Sequence, residues 1–80
     1  MAQPPRHPAT DSTVKLLDVV ALAEDLPQAG LVRGEVGTVV EMLDDGAVEV
    51  EFVDRDGRTY AQEPIHASKL IRLVYRGKVA

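Results

Sequence analysis

Cysteine is absent from this 80-residue chain, which excludes both disulfide staples and thiolate metal sites. Tryptophan is absent as well, and the aromatic rings are those of Phe52, Tyr60 and Tyr75. So few rings make a poor stacking platform for nucleic-acid bases. Positive charge is in deficit: 9 Lys+Arg stand against 13 Asp+Glu, a net charge of −4, which opposes general affinity for a polyanion. Long apolar runs are missing too. The longest, Val19–Ala23, is far short of the ~20 residues that cross a bilayer as a helix. The first 13 residues lack the apolar region of a signal peptide. With no address visible, the cytoplasm is the expected compartment. The length allows one domain, and a chain this short buries only ~60–65% of the surface its unfolded form exposes, so its core must be compact.

What the chain does contain is strand signal. Residues 1–13, MAQPPRHPATDST, form a polar stretch with Pro4, Pro5 and Pro8. It has too little apolar surface to offset the entropy of ordering, so a flexible arm over 1–13 and a folded domain over 14–80 are expected. From Val14 onward, short runs rich in Val, Leu and Ile alternate with turn residues, and no stretch of helical length shows a 3.6-residue period. Lys15–Leu22 reads as a first strand, apolar on both faces apart from Asp18. A long loop, Ala23–Gly34, follows. Glu35–Leu43 and Ala47–Asp54 then make the clearest hairpin, joined by Asp44-Asp45-Gly46, whose Asp-Gly pair supplies the positive φ angles of a tight turn.

In the second hairpin strand Val48, Val50 and Phe52 alternate with Glu49 and Glu51, so apolar side chains take one face and carboxylates the other. In the first, the same alternation groups Val36, Val40 and Met42 with Thr38 and turns Glu35 and Glu41 away. A second Asp-Gly turn, Asp54–Gly57, leads to a strand over Arg58–Glu63, which Pro64 is expected to end because proline cannot donate to a ladder. Ile65–Ser68 fits a single 3₁₀ turn, and Leu70–Val74 a last strand.

Five short strands, one long first loop, two tight turns and a helical turn before the last strand are the order of parts in an all-β, five-stranded SH3-like barrel, whose curled sheet limits exposed edges. The segment Leu16–Ala61, LLDVVALAEDLPQAGLVRGEVGTVVEMLDDGAVEVEFVDRDGRTYA, resembles a family of small bacterial and archaeal proteins of unknown function. Their pattern is L-x-D-V-V-A-L-x-x-D-L-P-x-x-G-L-x-x-G-x-V-G-T-V-V-E, an acidic turn, then V-E-F-x-D-x-x-G. The resemblance implies an SH3-like barrel, and Gly34–Val40 is similar to the β-turn-β element of KOW and Tudor-type modules. Members of the family resemble companions of other small proteins, in some cases arranged as toxin and antitoxin, and the resemblance implies no activity. Gly34 and Gly37 have a physical reading of their own: they open a sharply bent strand, where a residue without Cβ permits a bulge or a close backbone approach. A phosphate cradle would need its glycines to open a helix. Leu26 is expected to plug the end of the barrel, with Pro27 fixing a turn.

Nucleophilic chemistry needs Ser, Thr or Cys beside a base. The histidines are His7, in the arm, and His66, whose neighbour Ser68 is placed for hydrogen bonding within the turn. Among the paired acids, Asp44/Asp45 and Asp54/Asp56 form turns, Glu49/Glu51 make a solvated strand face, and Asp54/Asp56 lack the further oxygens of a calcium loop. The sequence therefore reads as a non-enzyme with no catalytic residue, metal or cofactor. What remains is binding, as a protein-interaction module that serves as antitoxin or accessory partner to a separately encoded protein. The expected recognition elements are the first loop and the Asp54–Gly57 turn. Candidate contact residues are the acidic pair Glu24 and Asp25, then Arg33, Asp54, Arg55, Arg58 and Tyr60, since Arg and Tyr combine apolar area with directional hydrogen bonds. The alternative is a KOW/Tudor-like nucleic-acid-binding module, supported by the basic residues Lys69, Arg72, Arg76 and Lys78. Homo-oligomerisation through an exposed strand edge is a third arrangement.

Overall fold

The computed structural model describes residues 13–74. The arm up to Ser12, with His7, and the basic residues Arg76 and Lys78 lie outside them. The described residues are all-β: β1 (Val19–Leu22), β2 (Val36–Met42), β3 (Ala47–Val53), β4 (Thr59–His66) and β5 (Leu70–Arg72), with 3₁₀ turns at Pro27–Ala29 and Ala67–Lys69. The strands form one antiparallel sheet in the order β4-β3-β2-β1-β5. That sheet is open, with β4 and β5 at its edges.

β3 follows its sequence pattern along its whole length. Val48, Val50 and Phe52 are buried to 2%, 0% and 0% exposure, and Glu49 and Glu51 lie half-exposed on the other face. The turn that starts it has positive φ at both Asp45 (59°) and Gly46 (81°), closed by the Ala47 N–H donating to the Asp44 carbonyl at 3.2 Å. Two successive positive φ angles give the turn the twist that antiparallel strands require.

β2 departs from the expected alternation. Gly37 and Val39 face the core, and Val36 and Met42 are 46% and 49% exposed. The cause is a bulge. Val39 pairs with Val50 and Glu41 with Glu49, so Val40 is the extra residue, and the face rule changes phase there. Before the bulge the inward positions are Gly37 and Val39, and a glycine hides the apolar period. Gly37 is where the strands come closest: a Cβ there would lie 2.6 Å from Val50 Cγ1 and 2.8 Å from the Glu51 carbonyl oxygen. The expected close backbone approach is present.

Four further expectations are corrected. The first strand begins at Val19, not Lys15. Lys15–Asp18 is a turn in which Lys15 N–H donates to Asp18 Oδ2 at 2.8 Å, and Leu17 has a left-handed φ of 72°. Pro64 does not end β4; it stands opposite Glu49 within the strand, which runs to His66. An edge strand pairs only half of its backbone groups, so a residue without an N–H is tolerated where that group would face away from the neighbour. The last strand stops at Arg72, although the Leu73 N–H still donates to the Val19 carbonyl at 2.9 Å. The 3₁₀ turn before β5 spans Ala67–Lys69, one to two residues later than expected, and the His66 Nδ1 accepts from the Ser68 N–H at 3.1 Å and pairs with its hydroxyl at 2.9 Å.

The core is one cluster: Val14, Val20, Leu22, Leu31, Val39, Val48, Val50, Phe52, Ile65 and Leu70. Fully burying one such side chain contributes about 1.5–3 kcal/mol. Leu31 belongs to the first loop, which folds back on itself: Leu26 and Leu31 exchange both backbone hydrogen bonds, at 2.9 and 3.1 Å, around the Pro27–Ala29 turn. Leu26 packs partly buried against the core, so the loop is anchored at both ends of its own small ring.

Candidate functional site

The first loop is braced by carboxylates, while backbone bonds from Ala23 N–H to the Lys69 carbonyl and from Gly34 N–H to the Leu22 carbonyl, both 2.8 Å, join its ends to the sheet. Asp25 Oδ1 accepts the Arg33 N–H at 2.8 Å. Glu35 uses both oxygens: Oε2 accepts the Val32 N–H at 2.8 Å, and Oε1 accepts the Tyr60 hydroxyl at 2.7 Å. Glu35 thereby joins the loop to β4 across the end of the sheet.

Tyr60 reaches Glu35 because of a second bulge. Phe52 pairs with Ala61 and Val53 with Thr59, which leaves Tyr60 unpaired and free to leave the face rule. Its ring tilts against Phe52, centroids 6.2 Å apart, with 49% of the residue exposed. The hydrogen bond to the Glu35 carboxylate, with smaller contributions from burial and the charges of Glu35 and Asp54, pushes the phenol up to about 12. A phenolate there would meet the carboxylate it now donates to.

The Asp54–Gly57 turn is built by one side chain. Asp54 Oδ1 accepts the N–H groups of Asp56 (2.8 Å) and Arg58 (3.0 Å), while the Asp54 N–H donates to the Arg58 carbonyl at 2.9 Å. Gly57 takes φ 82° with open space around it. Thr59 donates its hydroxyl to Glu51 on the neighbouring strand.

The candidate residues therefore separate by role. Asp25 and Asp54 serve the backbone of their own loops, leaving less of each carboxylate for a partner. Glu24 lies apart, 3.7 Å from Lys69, in a polar cleft of about 390 Å³ lined by Asp25, Gln28 and Glu63 among others. Arg33, Arg55 and Arg58 are exposed, and among the described residues no ion pair engages them. Glu35 joins Tyr60 to Val32, the neighbour of Arg33 in the chain; Arg55 and Arg58 flank the same end of the sheet.

Sequence reasoning missed Glu35 and Val32. Glu35 was expected only to point away from the hairpin, and its spacing of three from Val32 was the available signal. A second cleft, also about 390 Å³, opens at the opposite end between Val14, Met42, Gly46, Val48 and His66. Among the described residues no group of three or more His, Asp or Glu is placed to hold a metal, and no helix is long and apolar enough to cross a membrane.

No curated protein and no solved structure matches this chain. Residues 16–72 match the family described as Domain of unknown function (DUF4926), a span that contains Leu16–Ala61. The chain is a member of the DUF4926 family.

Proposed function

We propose that this chain is a non-catalytic protein-interaction module with an SH3-like arrangement of its sheet, acting as antitoxin or accessory partner to a separately encoded protein. The observation that carries the reading is the Glu35 bridge. It fixes the first loop against β4 before any partner arrives, so Arg33, Tyr60 and the exposed Val32 are presented on a preorganised surface. Preorganisation lowers the ordering cost of association, and Arg and Tyr are the residue types that concentrate binding energy in such surfaces. The strand order, with the first and last strands adjacent and a 3₁₀ turn before the last, supports the SH3-like reading.

The nucleic-acid alternative draws less support. Of its four basic residues Lys69 is engaged with Glu24, and the outward residues of the central hairpin, Glu41, Glu49 and Glu51, are acidic. Arg33→Glu combined with Arg55→Glu is expected to abolish capture of the cognate protein from a cell extract while urea unfolding stays unchanged. Submicromolar binding of a random duplex at physiological salt, lost on neutralising Lys69, Arg72, Arg76 and Lys78, would replace this reading with the nucleic-acid one.

A further inference from the structure

The outer face of the sheet has two halves. Following the registers, Ile71 on β5 stands opposite Ala21 on β1, and Ala21 opposite Val36 on β2. Val36 lies one step beyond the Gly37–Phe52 pair, beside Val53 on β3. Ile71, Val36 and Val53 are 54%, 46% and 46% exposed. Val19 and Leu73, joined by a backbone hydrogen bond of 2.9 Å, begin the next row, which continues through Thr38 on β2 to Glu51 on β3. The other half is acidic: Glu41 stands directly opposite Glu49, with Glu51 following. No α-helix occurs among the described residues, so no helical layer of theirs covers the aliphatic half. A contiguous exposed aliphatic row marks an interaction site, and a sheet face of this kind is normally buried against a second layer.

The aliphatic row ends at the recognition surface. Val36 follows the loop that carries Arg33, and Val53 precedes the Asp54–Gly57 turn, which carries Arg55 and is followed by Arg58; none of these arginines is in an ion pair among the described residues. An aliphatic floor with a guanidinium rim complements an apolar ridge flanked by carboxylates. A second copy docked with its two-fold axis across the row pairs the row with itself and sets one arginine rim against the other. The chain's own ends do not supply the ridge either. Residues 75–80 carry Arg76 and Lys78 and no acid, and residues 1–12 balance Asp11 against Arg6.

We infer that Ala21, Val36, Val53 and Ile71, rimmed by Arg33, Arg55 and Arg58, bind an amphipathic helix of a separate protein, one whose aliphatic stripe is flanked by Asp or Glu. This rests on the protein-interaction reading and adds the partner's chemistry. The helix provides the second layer of the sheet, and its acids meet the free guanidinium groups.

The test uses two synthetic helical peptides, a leucine stripe flanked by glutamates and its twin with lysines in their place. Each is titrated into the isotope-labelled full chain while amide shifts are followed. The glutamate peptide is expected to shift the amides of Ala21, Val36, Val53 and Ile71 and to bind at least ~10-fold tighter than its twin. Arg33→Glu with Arg55→Glu should reverse that preference, and Val36→Ser with Ile71→Ser, at exposed positions, should remove binding without loss of the folded spectrum. Failure of both peptides, equal binding of both, or shifts confined to the cleft between Gly46 and His66 would overturn the inference. So would concentration-dependent shifts of the same amides without peptide, which assign the row to a second copy, or their movement on removal of residues 75–80, which assigns it to the chain's own end. Cognate-protein capture that survives Val36→Ser with Ile71→Ser but not the arginine reversals would remove the helix site and leave the loop reading standing. Capture insensitive to both sets would remove both.

Discussion

β3 and the strands on either side of it bury the same inner face by different means. From Ala47 to Val53, β3 alternates without interruption, whereas β2 admits Val40 as an extra residue and β4 admits Tyr60. An uninterrupted strand supplies consecutive inward side chains, and here they are Val48, Val50 and Phe52, the centre of the core. A bulged strand bends and releases one residue from the face rule. Val40 is left half-buried at the bend, and Tyr60 is released to cross Phe52 and meet Glu35. The regular strand makes the core; its irregular neighbours make the curvature and the candidate site.

The largest effect is expected where β3 carries the core. Phe52→Ala should cost about 3–5 kcal/mol, a large share of the ~5–15 kcal/mol that stabilises a domain. Urea unfolding measures it, and a loss under ~1 kcal/mol would deny β3 its central place. On β2 the matching inward position is Gly37, and there the damage comes from adding an atom. Gly37→Ala drives a Cβ toward Val50 Cγ1 and the Glu51 carbonyl oxygen. The carbonyl cannot rotate aside, so the cost should fall near the top of the overpacking range, about 3 kcal/mol. A neutral outcome would mean that β2 and β3 can separate at this point without loss.

The bulge at Val40 is tested by its neighbour. Val39, fully buried, should lose about 2 kcal/mol on truncation to alanine, from two methyl groups and the cavity they leave. The same truncation at half-buried Val40 should lose less than about 1 kcal/mol. A larger loss at Val40 than at Val39 in urea would restore the unbroken alternation that places Val40 inward.

How far the fold was legible follows the same division. β3 was readable because every second residue is large and apolar and a turn dipeptide bounds each end. β2 was misread because its inward positions begin with a glycine, chosen for closeness rather than for apolar area, and because a bulge leaves no mark in a run of valines. Pro64 misled for a related reason: a proline forbids a central strand, but the edge position of β4 is a property of the whole sheet. In the site, Asp54 and the Asp-Gly turns were local and could be read. The tie between Glu35 and Tyr60 could not, since the two are 25 residues apart and meet only through a bulge.

The smallest effect concerns that bulge residue and is read as a titration. In a Tyr75→Phe background, so that one phenol is observed, ultraviolet absorbance should place the Tyr60 midpoint near 12 rather than 10. Glu35→Gln keeps an acceptor but removes the charge, and the midpoint should fall back toward 10. The raised value means that the folded chain holds the proton more tightly than the unfolded chain does. The associated stability is complete below pH 10 and is lost as pH rises through about 12. With Tyr60 half exposed, solvent screening keeps the contribution small, so the midpoint is the sharper measurement. A midpoint at 10 in the unsubstituted Glu35 protein would mean that Tyr60 does not hold Glu35 in solution. The first loop would then lack its tie to β4, and the contrast between a strand that builds the core and neighbours that build the site would fail at its second bulge.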